Sequence, residues 1–399
     1  MRAGRHQSVG LRVDVTIFAW IAGISVFAWL WLLLFRGRFW QADQRLPMAS
    51  GELANAPAVV AVIPARNEAQ TIGATIASLF EQDYAGQLSV IVVDDNSDDG
   101  TAAAAASAAS GRADFHLVAG QALEAGWTGK LWAVSQGIEK ADEIAPYAEF
   151  LLLTDGDIEH DPANLGRLVA KAREAEADLV SLMVALRCSS FWERLLIPAF
   201  VFFFQKLFPF PWVNDAAHGT AAAAGGCMLV RRNALKRAGG LFAIRDQLID
   251  DCALARKIKR NGNIWLGLSA TTRSLRAYDS LDEIRRMVAR TAFEQLGNSA
   301  LLLVGAVLGM ALVYVVPIVA CIAGIVLGDG ALASMGAVGW GLMAAAYGPT
   351  LHLYGMGRAW GLFLPVAAAL YTLFTIDSAL RFWSGRGGEW KGRHQSDMH

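Results

Sequence analysis

Apolar positions are distributed unevenly along this chain, and their spacing divides it into three kinds of segment. Val15 to Phe35 holds no charged residue. A helix of that length, rising 1.5 Å per residue, is about long enough to cross a hydrocarbon core of roughly 30 Å. It reads as a transmembrane anchor. A signal peptide is the competing reading, since Arg2, Arg5 and Arg12 form a positive leader, but the apolar run is long and no small-residue cleavage site follows. Ser299–Gly328, Ala331–Tyr354 and Ala359–Ile376 are three further uncharged runs, interrupted by Asp329 and Arg358. They predict about three more spans. Pro317 in the first favours a kink or tilt, and the Gly- and Ala-rich middle run with Pro349 is also compatible with a re-entrant segment.

Between Gln41 and Asn298 the pattern changes to short apolar runs alternating with stretches of helical periodicity, the pattern of repeated strand–helix units and a mostly parallel sheet. Ala58–Pro64, Leu88–Val93, Phe115–Val118 and Phe150–Leu153 read as buried strands. The predicted organisation is an anchor over 13–36, an α/β domain over 41–298, a membrane region over 299–383 and a polar tail over 384–399. Leu281, Ile284, Met287 and Val288 form an apolar stripe beside Arg285, Arg286 and Arg290. This predicts an interfacial helix within 280–297 facing anionic headgroups. Phe191–Trp212, dense in Phe and Trp, reads either as a second surface-lying element or as a core helix and loop.

Composition agrees with partial burial in lipid: 54% of residues are hydrophobic and only 18% charged. A formal net charge of −1, with no basic block interleaved with aromatics in the middle segment, gives no support to nucleic-acid binding. Charge does not settle orientation, because Arg2, Arg5 and Arg12 precede the first span while Arg36, Arg38 and Arg45 follow it. Cys188, Cys227, Cys252 and Cys321 lack metal-ligand spacing and read as buried thiols in a reducing compartment.

In open α/β sheets ligands bind beyond the carboxyl ends of strands, and here those ends are polar. The first strand runs into Pro64-Ala65-Arg66-Asn67-Glu68, the second into Asp94-Asp95-Asn96-Ser97, the fourth into Thr154-Asp155-Gly156-Asp157. Two carboxylates flanking a glycine offer hard oxygen ligands to Mg²⁺ or Mn²⁺. Asp157 is expected as direct ligand, and Asp155 through water or at a ribose. A lone Asp-x-Asp is more often a solvated turn; its place after a strand, near other acidic strand ends, argues for the metal. Asp95 is placed to accept a hydrogen bond from a nucleobase imide, although Ser97 or Asp98 also suits an ordinary helix cap. Gly126-Trp127-Thr128-Gly129-Lys130 supplies a turn and a cation for a phosphate, or is a plain loop. Asp250-Asp251 opens a probable helix, where acids also suit the dipole. If Asp251 faces the crevice it can take a proton from an acceptor hydroxyl.

The order Pro64-x-x-Asn67-Glu68, Asp94-Asp95-Asn96-Ser97, Gly129-Lys130, Asp155-x-Asp157 and Asp250-Asp251 resembles glycosyltransferase family 2 across the whole middle segment. Gly126–Ala133, Ala221–Arg231 and Ile284–Leu296, with terminal spans, look most like the hopene-associated glycosyltransferases of bacterial hopanoid synthesis. The resemblance implies a GT-A fold, a nucleotide-diphosphate sugar donor of UDP type, a divalent metal and inversion at the anomeric carbon. It assigns Asp251 as general base, Asp155 and Asp157 to ribose and metal-diphosphate, and Asp95 to the base. Pro64, Asn67, Glu68 and Lys130 fall around the nucleotide; Asp250, Arg286 and Arg290 fall on the acceptor side. Processive relatives carry an Arg-Trp pair on an interfacial helix, whereas this chain reads Arg290-Thr291. That departure favours a single transfer to a lipid over polymer synthesis. The implied setting is the cytoplasmic side of a bacterial inner membrane. Competing classes are a polyprenyl-phosphate sugar transferase, a noncatalytic nucleotide-binding scaffold, and a transporter, the last disfavoured by spans without paired charges.

Overall fold

The computed structural model describes residues 3–47 and 55–385, with side chains from residue 16 onward. Arg2, the side chains of Arg5 and Arg12, and the polar tail beyond Gly385 lie outside the described residues. The chain divides into two compact units, one of residues 1–42, 190–207 and 280–380, the other of 43–189, 208–279 and 381–399.

The second unit is built on one eight-stranded mixed sheet: β1 (Val59–Ala65), β2 (Leu88–Asp94), β3 (Phe115–Ala119), β4 (Phe150–Thr154), β5 (Ile158–Glu159), β6 (Ala177–Ala185), β7 (Cys227–Arg231) and β8 (Asn263–Ser274). Its spatial order is β3-β2-β1-β4-β7-β6-β8-β5. The half formed by β3, β2, β1 and β4 is parallel, and β7 enters antiparallel to both β4 and β6. β1 is buried at every position, as its unbroken run Val59-Val60-Ala61-Val62-Ile63 requires of a central strand covered on both faces. Helices Ile72–Phe80, Thr101–Ala109 and Gly129–Ile144 are the crossovers between the parallel strands. One core cluster joins Ile63, Ile76, Val92, Leu152, Leu168, Val180, Leu229 and Trp265.

The first unit is helical. Four of its segments, Thr16–Phe35, Ala300–Leu327, Gly330–Leu353 and Arg358–Trp383, are long and apolar enough to cross a membrane. The Gly- and Ala-rich segment is a continuous helix despite Pro349, so the re-entrant reading is not what is found. Ala300–Leu327 contains a π-helical turn over Ala311–Val315. There Val316 N–H reaches back to Ala311 O, and Pro317 has no N–H to give, so the carbonyls of Leu312 and Val313 lose their α-helical donors. Ser25 Oγ donates to Leu312 O and Trp29 Nε1 to Val313 O, both at 2.7 Å. In an apolar surrounding such carbonyls must find donors. Close helix approach relies on small residues: a Cβ added to Gly324 would lie 2.2 Å from Ala333 N, and one on Gly336 2.2 Å from Cys321 N.

Of the two readings of Phe191–Trp212, the core helix is what forms. Helix Phe191–Leu207 buries Leu195, Leu196, Ile197, Ala199, Val201 and Phe202 in the helical unit, and only the short helix Phe210–Val213 continues in the sheet unit. The stripe on helix Leu281–Ala289 is likewise turned inward, with Ile284 and Val288 buried. Arg285 is held by Asp282 and Asp377, and Arg286 pairs with Asp282 at 3.1 Å. Arg290 is exposed. The four cysteines are free thiols, but only Cys227 and Cys252 are buried.

Candidate active site

The polar strand ends are tied together from β1 outward. Asn67 sits in the left-handed region, φ 53°, and its N–H donates to Ser97 Oγ at 3.0 Å while its Oδ1 accepts from Asp98 N–H at 3.1 Å. Glu68 N–H donates to Thr101 Oγ1 at 2.8 Å and Ala69 N–H to Asp99 Oδ2 at 3.0 Å. The loops after β1 and β2 are thus laced to each other through side chains. Asp95 is fully buried, with Arg66 Nη1 3.8 Å from its carboxylate and 2.5 Å from its carbonyl oxygen.

After β4, Asp155-Gly156-Asp157 turns under Glu68: a Cβ on Gly156 would lie 3.5 Å from Glu68 Cγ. Asp157 is nearly buried and accepts from Ser274 Oγ, at the end of β8, at 3.1 Å. Burial, with the negative charges of Asp155 and Glu68, pushes its carboxyl up to about 6, against the lowering influence of Arg276 and the Ser274 hydrogen bond. Crowded carboxylates of this kind attract a cation. Among the described residues no three His, Cys, Asp or Glu form a cage of their own. Asp155 and Asp157 therefore fit a hard divalent ion that takes its other oxygens from water and a bound phosphate, the usual habit of Mg²⁺.

Thr128 caps helix Gly129–Ile144, its Oγ1 accepting from Leu131 N–H, and this sets Lys130 in the first turn. Lys130 Nζ lies 2.9 Å from Asp155 Oδ1 and 3.5 Å from Asp250 Oδ2. Burial opposes its charge, but Asp155, Asp250 and Asp251 outweigh that and hold the ammonium protonated above the ordinary lysine range. Asp251 Oδ2 accepts from Gly225 N–H at 2.9 Å and its Oδ1 from Cys252 N–H at 2.6 Å. A Cβ on Gly225 would come within 3.3 Å of Lys130 Nζ and 3.4 Å of Asp251 Oδ2, so any larger residue would press on both groups. Burial and the adjacent Asp250 push Asp251 up to about 6, despite Lys130 and the two N–H donors. Asp250 pairs with Lys130, whereas Asp251 is turned to the N–H groups of Gly225 and Cys252 and acts on Lys130 through its charge.

Part of this set lines one cleft of about 340 Å³, mouth included, while Asn67, Glu68, Asp95, Asp157 and Asp251 are not among its lining residues. Lys130, Asp155, Gly225 and Asp250 are its polar wall, and Pro64, Leu131, Leu153, Met228, Ile244 and Leu254 contribute apolar surface. Arg286 and Arg290 belong to the helical unit and are not among the lining residues. Sequence reasoning missed the support beneath β4. Asn164 Nδ2 and Thr154 Oγ1 each lie 3.1 Å from a ring nitrogen of the buried His160, and Thr154 Oγ1 donates to Gly226 O at 2.8 Å. Asn164 can only donate and Thr154 has spent its proton, so His160 is neutral with its proton on Nε2. Burial holds it down to about 4. No local pattern marks it; Arg66, Ser274 and Arg276 were equally silent.

Residues 60–239, from β1 through β7, match the family described as Glycosyl transferase family 2. They form a glycosyl transferase family 2 domain. No curated protein matches the chain in sequence. Among solved structures, a mannosyltransferase from Pyrobaculum calidifontis, in complex with GDP-Man and Mn²⁺, is similar over 93% of this chain and 99% of its own, at 20% identity and a TM-score of 0.54. Glucosyl-3-phosphoglycerate synthase from Mycobacterium tuberculosis, with Mn²⁺ and UDP-glucose, is similar over 63% of this chain and 85% of its own, at 19% identity and a TM-score of 0.42. S. aureus TarS is similar over 59% and 39%, at 17% identity and a TM-score of 0.39. The sheet unit has the GT-A fold, accompanied by apolar helices long enough to span a membrane.

Proposed function

We propose that this glycosyltransferase inverts the anomeric centre while moving a sugar from a nucleoside-diphosphate donor, of UDP type, to a hydroxyl of a membrane lipid, with a hopanoid as first candidate. The reading rests on one observation: a cleft in which Lys130 bridges Asp155 to Asp250, with Asp251 next to Asp250 in the chain and bonded to Gly225 of the cleft wall. Asp95 and the laced loops after β1 and β2 take the nucleoside, with Pro64, Asn67 and Glu68 shaping that wall. Asp157 and Asp155 would hold Mg²⁺ or Mn²⁺, whose positive charge would favour departure of the diphosphate. Lys130 adds a cation on the same side. Asp251, oriented by two backbone N–H groups, accepts the acceptor's hydroxyl proton. The new bond joins that oxygen to the anomeric carbon, and the bond from that carbon to the diphosphate oxygen breaks, its electron pair leaving with the nucleotide.

A base at Asp251 has a proton to remove from a hydroxyl and none from an ionised phosphate, which favours a hydroxyl acceptor over a polyprenyl phosphate. Four apolar helices in the same chain support a lipid substrate and a multi-pass place in a bacterial inner membrane, with the nucleotide side cytoplasmic. The test uses the membrane-embedded chain with a panel of nucleotide sugars and lipid extract, with and without Mn²⁺. Mn²⁺-dependent labelling of a lipid hydroxyl is expected. Unchanged function in both Asp157→Asn and Asp251→Asn would replace catalysis by a scaffold role.

A further inference from the structure

Lys206 is a charged group that the transfer reaction leaves unused. It lies in the last turn of helix Phe191–Leu207, and its Nζ donates to Tyr314 Oη at 2.9 Å, with Met310 Sδ at 4.0 Å. The ammonium also stands 4.6 Å from the centre of the Tyr314 ring and 5.4 Å from that of Phe203. Among the described residues no carboxylate reaches it; the unit's Asp282 and Asp377 are engaged with Arg285 elsewhere. A second cation stands beside it. Arg36 Nε and Nη2 donate to the carbonyls of Lys206 and Leu207, each at 3.2 Å.

Donors exceed acceptors in this cluster. The ammonium carries three N–H groups and the phenol one O–H, while among the described residues the acceptors they meet are the phenol oxygen and a thioether, a weak one. A cation set among rings without a counter-charge is costly, and in a membrane unit such groups pair with something. The π-helical turn that carries Tyr314 is the kind of helix irregularity often found at binding positions. Phe35 and Leu207, next in sequence to the two cations, are exposed and apolar, as are Leu34 and Leu308. An anion arriving here would bring acyl chains to cover them.

We propose that Lys206, oriented by the buried Tyr314 and in the field of Arg36, binds the phosphate of an anionic membrane phospholipid. The full chain, purified in a neutral maltoside detergent, is titrated with phosphatidylglycerol, with diacylglycerol of the same chains, with inorganic phosphate and with a polyprenyl phosphate, and bound molecules are counted by native mass spectrometry. Phosphatidylglycerol is expected to be retained and diacylglycerol lost. Lys206→Met, which keeps bulk while removing charge, should weaken retention about tenfold, and Tyr314→Phe, which keeps the ring, several-fold. Equal retention in wild type and both variants overturns the site, as does diacylglycerol held as well as phosphatidylglycerol. Saturation by inorganic phosphate alone, or a strong preference for polyprenyl phosphate, overturns the phospholipid assignment. The readout is lipid retention, so it stands or falls apart from sugar transfer.

Discussion

Asp251 is the residue on which the proposed chemistry depends most directly. Asp251→Asn keeps an oxygen for Gly225 N–H but cannot accept a proton, so kcat/KM should fall roughly 10²- to 10⁴-fold with the circular dichroism spectrum unchanged. Since its carboxyl is pushed up to about 6, wild-type transfer should decline as pH drops through 6, well above the range where an ordinary carboxylate titrates. A pH–rate profile whose acid limb lies near 4 would remove Asp251 from the role of base. Asp157 carries a stability consequence of the same origin. Its folded carboxyl keeps a proton up to about 6, well above the ordinary aspartate value of about 4. The stability it contributes is therefore whole below about 4 and lost as pH rises through 6. With chelator present at pH 8, Asp157→Asn should raise Tm by a few degrees while abolishing Mn²⁺-dependent transfer; a lowered Tm would contradict the crowding of Asp155 and Glu68 around it.

Elements differ in how openly the sequence announces them. β1, β2 and β4 could be read to within a residue because a strand buried on both faces is a continuous apolar run ended by polar residues. β6 and β8 were not singled out, since Ala177–Ala185 and Asn263–Ser274 mix Ser, Gly and Thr into shorter apolar stretches, and β5 is two residues long. The acidic strand ends were legible for the reason the strands were. Their partners were not: Ser274 lies 117 residues from Asp157, and nothing local in Thr154, His160 and Asn164 announces that they will meet. The same holds for the π-helical turn, whose Pro317 was visible as a kink but whose rescue by Trp29 was not. Trp29→Phe keeps an aromatic ring and leaves Val313 O without its donor, which should cost about 1–2 kcal/mol in denaturation from detergent micelles. No change in midpoint would mean that another group caps that carbonyl.

At the scale of the whole molecule, four spans predict that the chain stays in the pellet when membranes are washed with alkaline carbonate, where a surface-bound protein is released. Appearance of the intact chain in the wash would count against spanning. The order in which the chain builds its two units matters for a different reason. It passes from one unit to the other after residues 42, 189, 207, 279 and 380, so neither unit is a continuous stretch. No single cut frees the sheet unit from its helices, and a fragment of residues 43–279 would carry helix Phe191–Leu207, whose buried face needs companions encoded beyond it. During synthesis that helix emerges almost a hundred residues before the span starting at Ala300. At ribosomal speeds of about 5–20 residues per second, it waits on the order of ten seconds for its neighbours. Throughout that interval the nascent chain exposes an oily segment that the insertion machinery or a chaperone has to shelter.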